Sequence, residues 1–212
     1  MSAMSNVTSS VRALAAVLLM LSLTLSGCSF SVWTTGPSTP VSSRPTYGVP
    51  PSTSTAPPAP GNARFDRPDY AVRFDYPRHL QMRTDVGYDE TAGASPDALV
   101  ALMLDDDNAI MVERRELRYA VTDANLNRVR LESDQVVSQL AGTVVHGTEV
   151  EVAGLPGLEY MISLASPPPI RSRYVSMFDG ATEYTLNCQS TERHRPEMDA
   201  ACRTALATLH HR

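Results

Sequence analysis

The segment Thr182–Leu209, TEYTLNCQSTERHRPEMDAACRTALATL, holds the pattern that decides the fold. In its first part, apolar residues alternate with polar ones up to Cys188, and a period of two predicts a strand with one apolar face. From about Pro196 to Leu209, apolar residues recur at helical spacing, and Cys202 is among them. A strand that leads directly into an amphipathic helix predicts that the helix packs on the apolar face of a sheet.

Cys188 and Cys202 lie on the two apolar faces that this packing brings together. We therefore expect a disulfide between them, which would close a loop of about 15 residues and stabilise the fold by roughly 3 kcal/mol. Two free buried thiols and a metal pair are the alternatives. A metal site has less support, because the nearby His194 lies in an exposed, charged run.

Upstream of this unit the chain alternates between strand and helix patterns. Tyr70–Tyr76 has a period of two and ends at Pro77, which predicts a half-buried strand. Further strands are predicted on both sides of a polar turn and again after a helix. Their ranges are Ala98–Leu104, Ala109–Leu117, Val144–Val152, Leu158–Leu164, Arg173–Phe178 and Thr182–Cys188.

The helix between these strands is predicted to begin after Thr122 or Asp123, either of which can cap it, and to end at Gly142. The order is therefore strands, helix, strands, helix. This order predicts the α+β class, with an antiparallel sheet of about six or seven strands sandwiched by helices, in one globular domain over residues 63–212.

The N-terminal segment has the composition of an export signal. One positive charge, Arg12, precedes the apolar run Ala13–Leu25. A bilayer-spanning helix needs about 20 apolar residues, so this shorter run is typical of a signal peptide.

The end of this run and the residues after it resemble a bacterial lipobox, with Leu25, Ser26, Gly27 and Cys28. The small residues let a peptidase groove approach the backbone, and the thiol of Cys28 is the nucleophile that accepts a diacylglyceryl group. We expect a lipoprotein signal peptide over residues 1–27 and a lipid on Cys28 that anchors the chain to the outer side of the cell membrane. A secreted protein that is cleaved nearby is the alternative.

Residues 28–62 are predicted to be a disordered tether. Ser, Thr, Pro and Gly make up 24 of the residues 29–61. Such a stretch buries too little apolar surface to offset the entropy of ordering. Its Ser/Thr-Pro content also suits O-glycosylation, and a plain spacer is the simpler interpretation.

The segment Tyr70–Pro77, YAVRFDYP, resembles the opening strand of the PsbP/Mog1-like family, in which it precedes a hairpin, a helix and a final meander. The lipobox and the Ser/Thr/Pro-rich tract are similar to those of actinobacterial LpqN-type lipoproteins, which use such a domain. The final strand and helix, each with a cysteine, fit this group too. The resemblance implies a non-catalytic α/β/α sandwich that is used for binding.

The rest of the sequence excludes several classes of function. The formal net charge of −5 argues against a nucleic-acid partner, because phosphate neutralisation requires a basic excess. No nucleophile elbow, zinc-protease, P-loop or dinucleotide motif occurs, and no histidine has a metal-ligand partner at helical spacing. We therefore predict that the protein is not an enzyme and needs no cofactor or metal.

Three groups of polar residues could serve as binding sites, and each has a simpler interpretation. The run Asp105–Asn108 lacks the glycine and the distal glutamate of a calcium loop, so a solvated turn is favoured. Arginines 114, 115 and 118, and arginines 171 and 173, are predicted to lie on solvated strand edges, with an anion site as the alternative. His146 is expected in a strand, partly buried and hydrogen-bonded, and the terminal histidines 210 and 211 are expected to fray.

These observations leave two main functions open, with an enzyme of unrecognised type as a less favoured third. The first is a tethered binding or scaffold domain that acts on partners in the cell envelope. The second is a carrier or sensor of a small apolar, lipid-like ligand, which predicts an enclosed apolar cavity between sheet and helix. The sequence does not predict an oligomeric state.

Overall fold

A computed structural model of the chain describes residues 44–49, 56–86, 99–165 and 167–212. Within these ranges the chain forms ten strands and two helices. In chain order they are β1 (Thr46–Tyr47), β2 (Asn62–Phe65), β3 (Val72–Pro77), β4 (Gln81–Arg83), β5 (Leu99–Met103), β6 (Ala109–Val121), α1 (Leu126–Ala141), β7 (Thr148–Val152), β8 (Leu155–Leu164), β9 (Ile170–Thr191), α2 (Arg195–Ala207) and β10 (His210–His211).

A seven-stranded sheet forms the centre of the domain, in the order β1-β7-β8-β9-β6-β5-β4. All its strand pairs are antiparallel except the pair of β1 with β7. A second sheet has three strands in the order β10-β3-β2. The mixed α/β class and the large, mainly antiparallel sheet agree with the sequence prediction, since short connections between neighbouring strands favour antiparallel pairing.

Strand β9 is folded back on itself at Asp179–Gly180, and Gly180 has a φ of 59°. Ser172 donates a hydrogen bond to Asn187, although the two are 15 positions apart and a straight strand would separate them by about 50 Å. We call residues 170–178 the first arm and residues 182–191 the second arm. The first arm pairs with β8 and the second with β6, so the two strands predicted here are both present.

The two helices pack on opposite faces of the large sheet and give the domain three layers. Helix α1 packs on β7 and β8, and helix α2 packs on β9 together with the small sheet. The core on the α2 side joins residues of both sheets to the buried stripe of α2, namely Met198, Ala201, Cys202, Ala205 and Leu206. This stripe is the one that the helical spacing predicts.

Three details differ from the sequence prediction. Strand β3, predicted for the main sheet, belongs to the small sheet, where β2 and β10 flank it. Helix α1 begins after Asn125 rather than after Thr122 or Asp123, because the Asn125 side chain accepts a hydrogen bond from the backbone N–H of Thr122 and closes a turn first. Strand β7 begins only at Thr148, since the chain before it is hydrogen-bonded to α1.

The structure contains the predicted disulfide between Cys188 and Cys202. Cys188 lies on the second arm and Cys202 on α2, with their Cα atoms 6.0 Å apart. Both residues belong to the buried core on the α2 side of the sheet. The disulfide therefore fixes the helix to the sheet within the apolar contact that the two sequence patterns predict.

Residues 44–49, which the sequence analysis assigned to the tether, pair with the domain, and we call them the strap. Backbone N–H groups of Glu151 and Ala153 donate to the carbonyl oxygens of Pro45 and Tyr47 at 2.9 and 2.7 Å. The strap is held in this way because backbone groups at the edge of the sheet, otherwise unpaired, gain partners from it.

Side-chain contacts add to the backbone hydrogen bonds that hold the strap. Arg44 forms ion pairs with Asp123 and Glu149. The Tyr47 hydroxyl donates to Glu159 at 2.7 Å, and the guanidinium of Arg173 lies 5.1 Å from the centre of the Tyr47 ring. The tether prediction for residues 28–62 is thus wrong over the strap, because the composition argument does not count these specific contacts.

Replacing Gly48 by alanine is expected to release the strap. Gly48 has a φ of +81°, and an added Cβ would lie 2.7 Å from the Leu209 carbonyl oxygen. Hydrogen exchange at the amides of Glu151 and Ala153 should then become at least tenfold faster, since both donate to the strap.

The matched control is Gly61→Ala, because Gly61 also has a positive φ, of +86°, but an added Cβ would meet no atom within 4 Å. This control should leave the exchange of both amides unchanged. Equal exchange rates in Gly48→Ala and wild type would contradict a clamped strap.

Candidate functional site

A groove lies at one end of the large sheet, where the β5–β6 turn, the loop before β9 and the turn before α2 meet. It is open to solvent and has a volume of about 780 Å³. We call it the end groove. The residues that line it are Asp105–Asn108, Ser163 and Leu164, Pro168–Arg171 and Thr191–Arg195.

One wall of the end groove is the acidic β5–β6 turn. Asp105 Oδ1 accepts hydrogen bonds from the backbone N–H groups of Asp107 and Asn108 at 3.0 and 2.9 Å. Asn108 Oδ1 in turn accepts from the backbone N–H and the hydroxyl of Thr191 at 2.8 and 3.1 Å. These bonds fix the turn against the second arm. The predicted hairpin turn is present and its three aspartates are exposed or half-buried, but the prediction that the whole run is solvated is wrong for Asn108, which is buried.

A second wall of the end groove is basic. Arg171 lies at the start of the first arm, and Arg193 and Arg195 lie at the start of α2. Arg195 pairs with Glu192, but its Nε is buried and finds no hydrogen-bond acceptor among the described residues. The N-cap residue of α2, His194, makes no side-chain capping bond. The sequence predicts an exposed charged run here, and only the tertiary fold places this run in the same groove as Arg171.

A further part of the lining, which we call the floor, is apolar. Leu164 and Ile170 are buried residues at the facing ends of β8 and β9, and Pro168 and Pro169 lie in the loop that joins these strands. The end groove therefore offers negative charge, positive charge and apolar surface in one cavity. Such a combination of apolar lining and a few polar groups is typical of binding sites.

His194 links the two walls of the end groove. Its Nε2 lies 3.8 Å from Asp105 Oδ2, and its Nδ1 lies 3.6 Å from Glu197 Oε2. Glu197 also contacts His79 Nε2 at 2.9 Å. The described part of the chain has no group of three or more His, Cys, Asp or Glu side chains that could hold a metal ion.

A row of buried polar side chains leads away from the end groove along the second arm, on the α1 side of the sheet. We call it the polar row: Glu183, Thr185, Asn187, Gln189 and Thr191, all of them buried. It alternates with the apolar residues of the α2-side core, as a strand requires. Thr191 lines the end groove, so the polar row starts at the groove wall.

Glu183 is the most deeply buried member of the polar row, with 2% of its surface exposed. It accepts a hydrogen bond from the Ser176 hydroxyl at 2.7 Å. Burial raises the pKa of the Glu183 carboxyl, and the charge of Arg115 opposes this rise. A carboxyl in this setting requires the nearby cation, because an unpaired buried charge is costly.

Arg115 supplies that cation and forms an ion pair with Glu113 on the same strand. Only 16% of its side chain is exposed. Burial alone would lower the pKa of the Arg115 guanidinium, but the charges of Glu113, Tyr174 and Glu183 raise it above its usual value. The prediction of a solvated edge is therefore wrong for Arg115, since this face of β6 is covered.

The other arginines that the sequence analysis selected divide into two groups. Arg118 is exposed, and Arg114 is half-buried beside Glu116, to which it is paired. Arg173 is held by Glu159 at 2.7 Å and by the Tyr47 ring, so the solvated-edge prediction is wrong for it. Arg171 lies in the end groove. The anion site that the sequence offers there, as the alternative to a solvated edge, remains a prediction.

The histidines also differ from expectation. His146 lies in the loop before β7, and 76% of its side chain is exposed, with Nδ1 3.2 Å from Asp134. The terminal histidines 210 and 211 form β10 and pair with β3 rather than fray. His211 Nε2 contacts Asp179 at 3.0 Å. An antiparallel partner strand holds the C-terminus here, which the sequence of the last residues does not indicate.

The predicted lipidation site lies outside the described residues. Cys28 and the lipobox residues Leu25, Ser26 and Gly27 therefore remain predictions from the sequence, as does the signal peptide over residues 1–27. Among the described residues, no helix is long and apolar enough to cross a membrane.

Comparisons with known proteins give similarity to solved structures. No protein-family model and no curated protein matches the sequence. Cyanobacterial PsbP (CyanoP) from Synechocystis sp. PCC 6803 is 15% identical, with 73% of this chain and 95% of that one covered and a TM-score of 0.47. LpqN of Mycobacterium tuberculosis, described as involved in cell envelope biogenesis, is 11% identical, with 72% and 85% covered and a TM-score of 0.43.

A protein from Bacteroides thetaiotaomicron VPI-5482 is 10% identical, with a TM-score of 0.46. The match covers 72% of this chain and 49% of that one, so the chain spans about half the length of the Bacteroides protein. PsbP and LpqN, the two groups that the sequence resembles, are thus among the solved structures to which this chain is similar.

Proposed function

We propose that this protein is a non-catalytic binding domain that is held on the outer side of the cell membrane by a lipid on Cys28 and binds a partner of the cell envelope through the end groove. The observation that carries the proposal is the end groove itself, with its fixed acidic wall, apolar floor and basic wall. A surface of this composition is suited to binding, because it offers charge complementarity and apolar contact together.

Two further features support a location outside the cytoplasm. The disulfide between Cys188 and Cys202 suits an oxidising compartment, where such bonds persist. A lipid on Cys28 supplies a durable anchor, because buried acyl carbons contribute about 0.8 kcal/mol each. Because the strap is bonded to the domain, the tether between anchor and domain consists of residues 29–43. It would reach about 45 Å when extended.

The geometry gives less support to a carrier of an apolar ligand. Such a carrier requires an enclosed apolar cavity, whereas the end groove is open and has charged walls. The buried polar row continues behind the groove with further polar side chains rather than apolar ones.

A crosslinking experiment in intact cells tests the binding proposal. A photoreactive amino acid at position 169, in the floor of the end groove, is expected to give a discrete crosslinked protein. The same amino acid at position 131 is the control, because Leu131 is 52% exposed on α1 and lies outside the groove. The product should weaken at least tenfold when Arg171→Glu is added.

The anchor is tested separately by metabolic labelling with a fatty-acid probe. Wild type should carry label, and Cys28→Ala should carry none and leave the membrane fraction. Equal crosslinking from positions 169 and 131 would exclude the end groove as the binding surface. Unchanged label on Cys28→Ala would exclude the lipid anchor and leave the groove proposal standing.

A further inference from the structure

The strap covers the outer edge of β7 with very little backbone pairing. Its strand, β1, has two residues and pairs only with Glu151 and Val152, whereas β7 has five residues. The pair is also parallel, in a sheet whose other pairs are antiparallel, and parallel pairing is slightly less stable per residue. Of the seven strands in this sheet, β1 is therefore the one that another strand could most easily replace.

The side chain of Arg44 fills the first of two subsites beside the β7 edge. Its guanidinium contacts Asp123, which follows β6, and Glu149 of β7, with 2.9 Å between Arg44 Nη2 and Glu149 Oε2. We call these two carboxylates the acidic subsite. Arg130 also approaches Glu149, at 3.8 Å, but no second cation pairs with Asp123 among the described residues. Two carboxylates that share one guanidinium lie close together, so the acidic subsite requires a cation.

Tyr47 fills the second subsite, three positions further along the strap. Its hydroxyl donates to Glu159 Oε2 at 2.7 Å, and the guanidinium of Arg173 lies 5.1 Å from the centre of its ring. Arg173 Nε in turn donates to the other oxygen of Glu159 at 2.7 Å. We call Glu159 and Arg173 the tyrosine subsite. It matches an aromatic ring that carries a hydroxyl, because the ring faces a cation and the hydroxyl has a carboxylate acceptor.

The two subsites lie on opposite faces of the large sheet. Glu149 is the cross-strand partner of Leu158, which belongs to the core on the α1 side. Glu159 is the cross-strand partner of Val175, which belongs to the core on the α2 side. Side chains three positions apart on a strand point to opposite faces. The spacing of arginine and tyrosine in the strap therefore matches the positions of the two subsites.

The residue after the tyrosine must be glycine. An added Cβ at Gly48 would lie 2.7 Å from the Leu209 carbonyl oxygen and 3.1 Å from the backbone nitrogen of Ala153. The backbone N–H of Val49 then donates to the same carbonyl oxygen at 3.0 Å. The β7 edge thus selects an arginine, two further residues, a tyrosine and a glycine. The residues that make this selection do not line the end groove.

We propose that the strap is an autoinhibitory segment that occupies the β7 edge and is displaced by an extended segment of a partner polypeptide with the same pattern of arginine, two residues, tyrosine and glycine. Strand addition to a sheet edge is a common mode of peptide recognition, in which the backbone gives affinity and the side-chain subsites give specificity. A partner strand that pairs with all five residues of β7 forms a longer ladder than β1, which favours the exchange. This inference goes beyond the proposed function, because it assigns a second binding surface.

The test uses the full chain in detergent micelles and a fluorescent peptide with the sequence of residues 40–49, PVSSRPTYGV. Gly48→Ala, which is expected to release the strap, should bind the peptide at least tenfold more tightly than wild type in fluorescence anisotropy. Gly61→Ala is the matched control and should bind it like wild type, because an added Cβ there meets no atom. Arg44→Glu is a second release variant without added bulk at Gly48, and it should also bind the peptide at least tenfold more tightly.

Substitutions in the peptide test the two subsites. Arg44→Glu or Tyr47→Ala in the peptide should each weaken binding to the Gly48→Ala protein at least tenfold. Adding Asp123→Arg and Glu149→Arg to that protein should then make the Arg44→Glu peptide the preferred ligand. Such a reversal requires direct contact between the peptide and the acidic subsite.

Equal binding of the peptide by wild type and by both release variants would overturn the inference, because the strap would then not compete for the edge. A peptide preference that does not reverse with the acidic subsite would overturn it as well. A release variant that forms a dimer, which the peptide dissolves, would overturn the choice of partner, since the strap of a second copy would then be the occupant. Crosslinking from position 169 does not depend on the strap, so failure here and failure of the proposed function are distinguishable.

Discussion

Replacing Arg115 by methionine is expected to lower the free energy of unfolding by about 3–5 kcal/mol at neutral pH. Methionine keeps most of the side-chain volume and removes the charge. The carboxyls of Glu113 and Glu183, both buried, would then lose the cation that faces them. Breaking a buried ion pair from one side is costly, because the remaining charge stays in a medium of low polarity.

The effect of Arg115→Met should depend on pH. Burial already raises the pKa of Glu183, and loss of Arg115 removes an influence that lowers it. A carboxyl whose pKa is raised by folding contributes stability below its unfolded pKa, and this contribution is lost as the pH rises through the folded pKa. The variant should therefore be much closer to wild type at about pH 4, near the unfolded pKa of glutamate, than at about pH 7.5.

Urea unfolding at these two pH values is the measurement, and Arg114→Met is the matched control. Arg114 neighbours Arg115, but 41% of its side chain is exposed and its partner Glu116 is also exposed. Its loss should cost about 0–1 kcal/mol at either pH. Equal costs for the two variants, or a cost for Arg115→Met that does not change with pH, would show that the buried charges do not depend on Arg115.

Replacing Cys188 and Cys202 together by alanine is expected to lower the free energy of unfolding by about 3 kcal/mol. The two residues are 14 positions apart, and the disulfide joins the second arm to α2 within the core. Without it, the unfolded chain gains the freedom of an open loop while the native contacts remain. For a domain of this size, the melting temperature should fall by about 6–12 °C.

The single variants provide a sharp check of this prediction. Cys188→Ala and Cys202→Ala should each cost about as much as the double replacement, because either one breaks the same bond. Cys28→Ala is the control with the same chemical change and should leave the melting temperature of the domain unchanged. If the loss in free energy of unfolding in the double variant equals the sum of the two single losses, the cause is two independent packing losses rather than one lost disulfide.

The sequence predicted those parts of the fold that depend on local periodicity. The helical spacing of Met198, Ala201 and Ala205 identified the buried stripe of α2, and the alternation up to Cys188 identified the core face of the second arm. Together these patterns predicted the disulfide. Such predictions succeed because a core face recurs at the period of the secondary structure itself.

The candidate site was much harder to predict. Arg171 and Arg193 are 22 positions apart in the chain, and they line one groove only because the first arm and α2 both begin at the same edge of the sheet. The burial of Glu183 and Arg115 was missed for a related reason, since alternation identifies two faces of a strand but not what covers the second one. The strap was missed because its composition is that of a tether, and its contacts come from distant residues.

The sequence by itself therefore determined the class of the fold, the core stripe of α2 and the pairing of Cys188 with Cys202, because each depends on the spacing of apolar residues along one element. Only the tertiary structure decided where the charges lie. It placed Arg171 in one groove with the acidic turn, buried Arg115 beside two carboxyls and attached the strap to an open strand edge. The physical reason is that a charge is stabilised or exposed by neighbours that are distant in sequence, and local spacing carries no information about them.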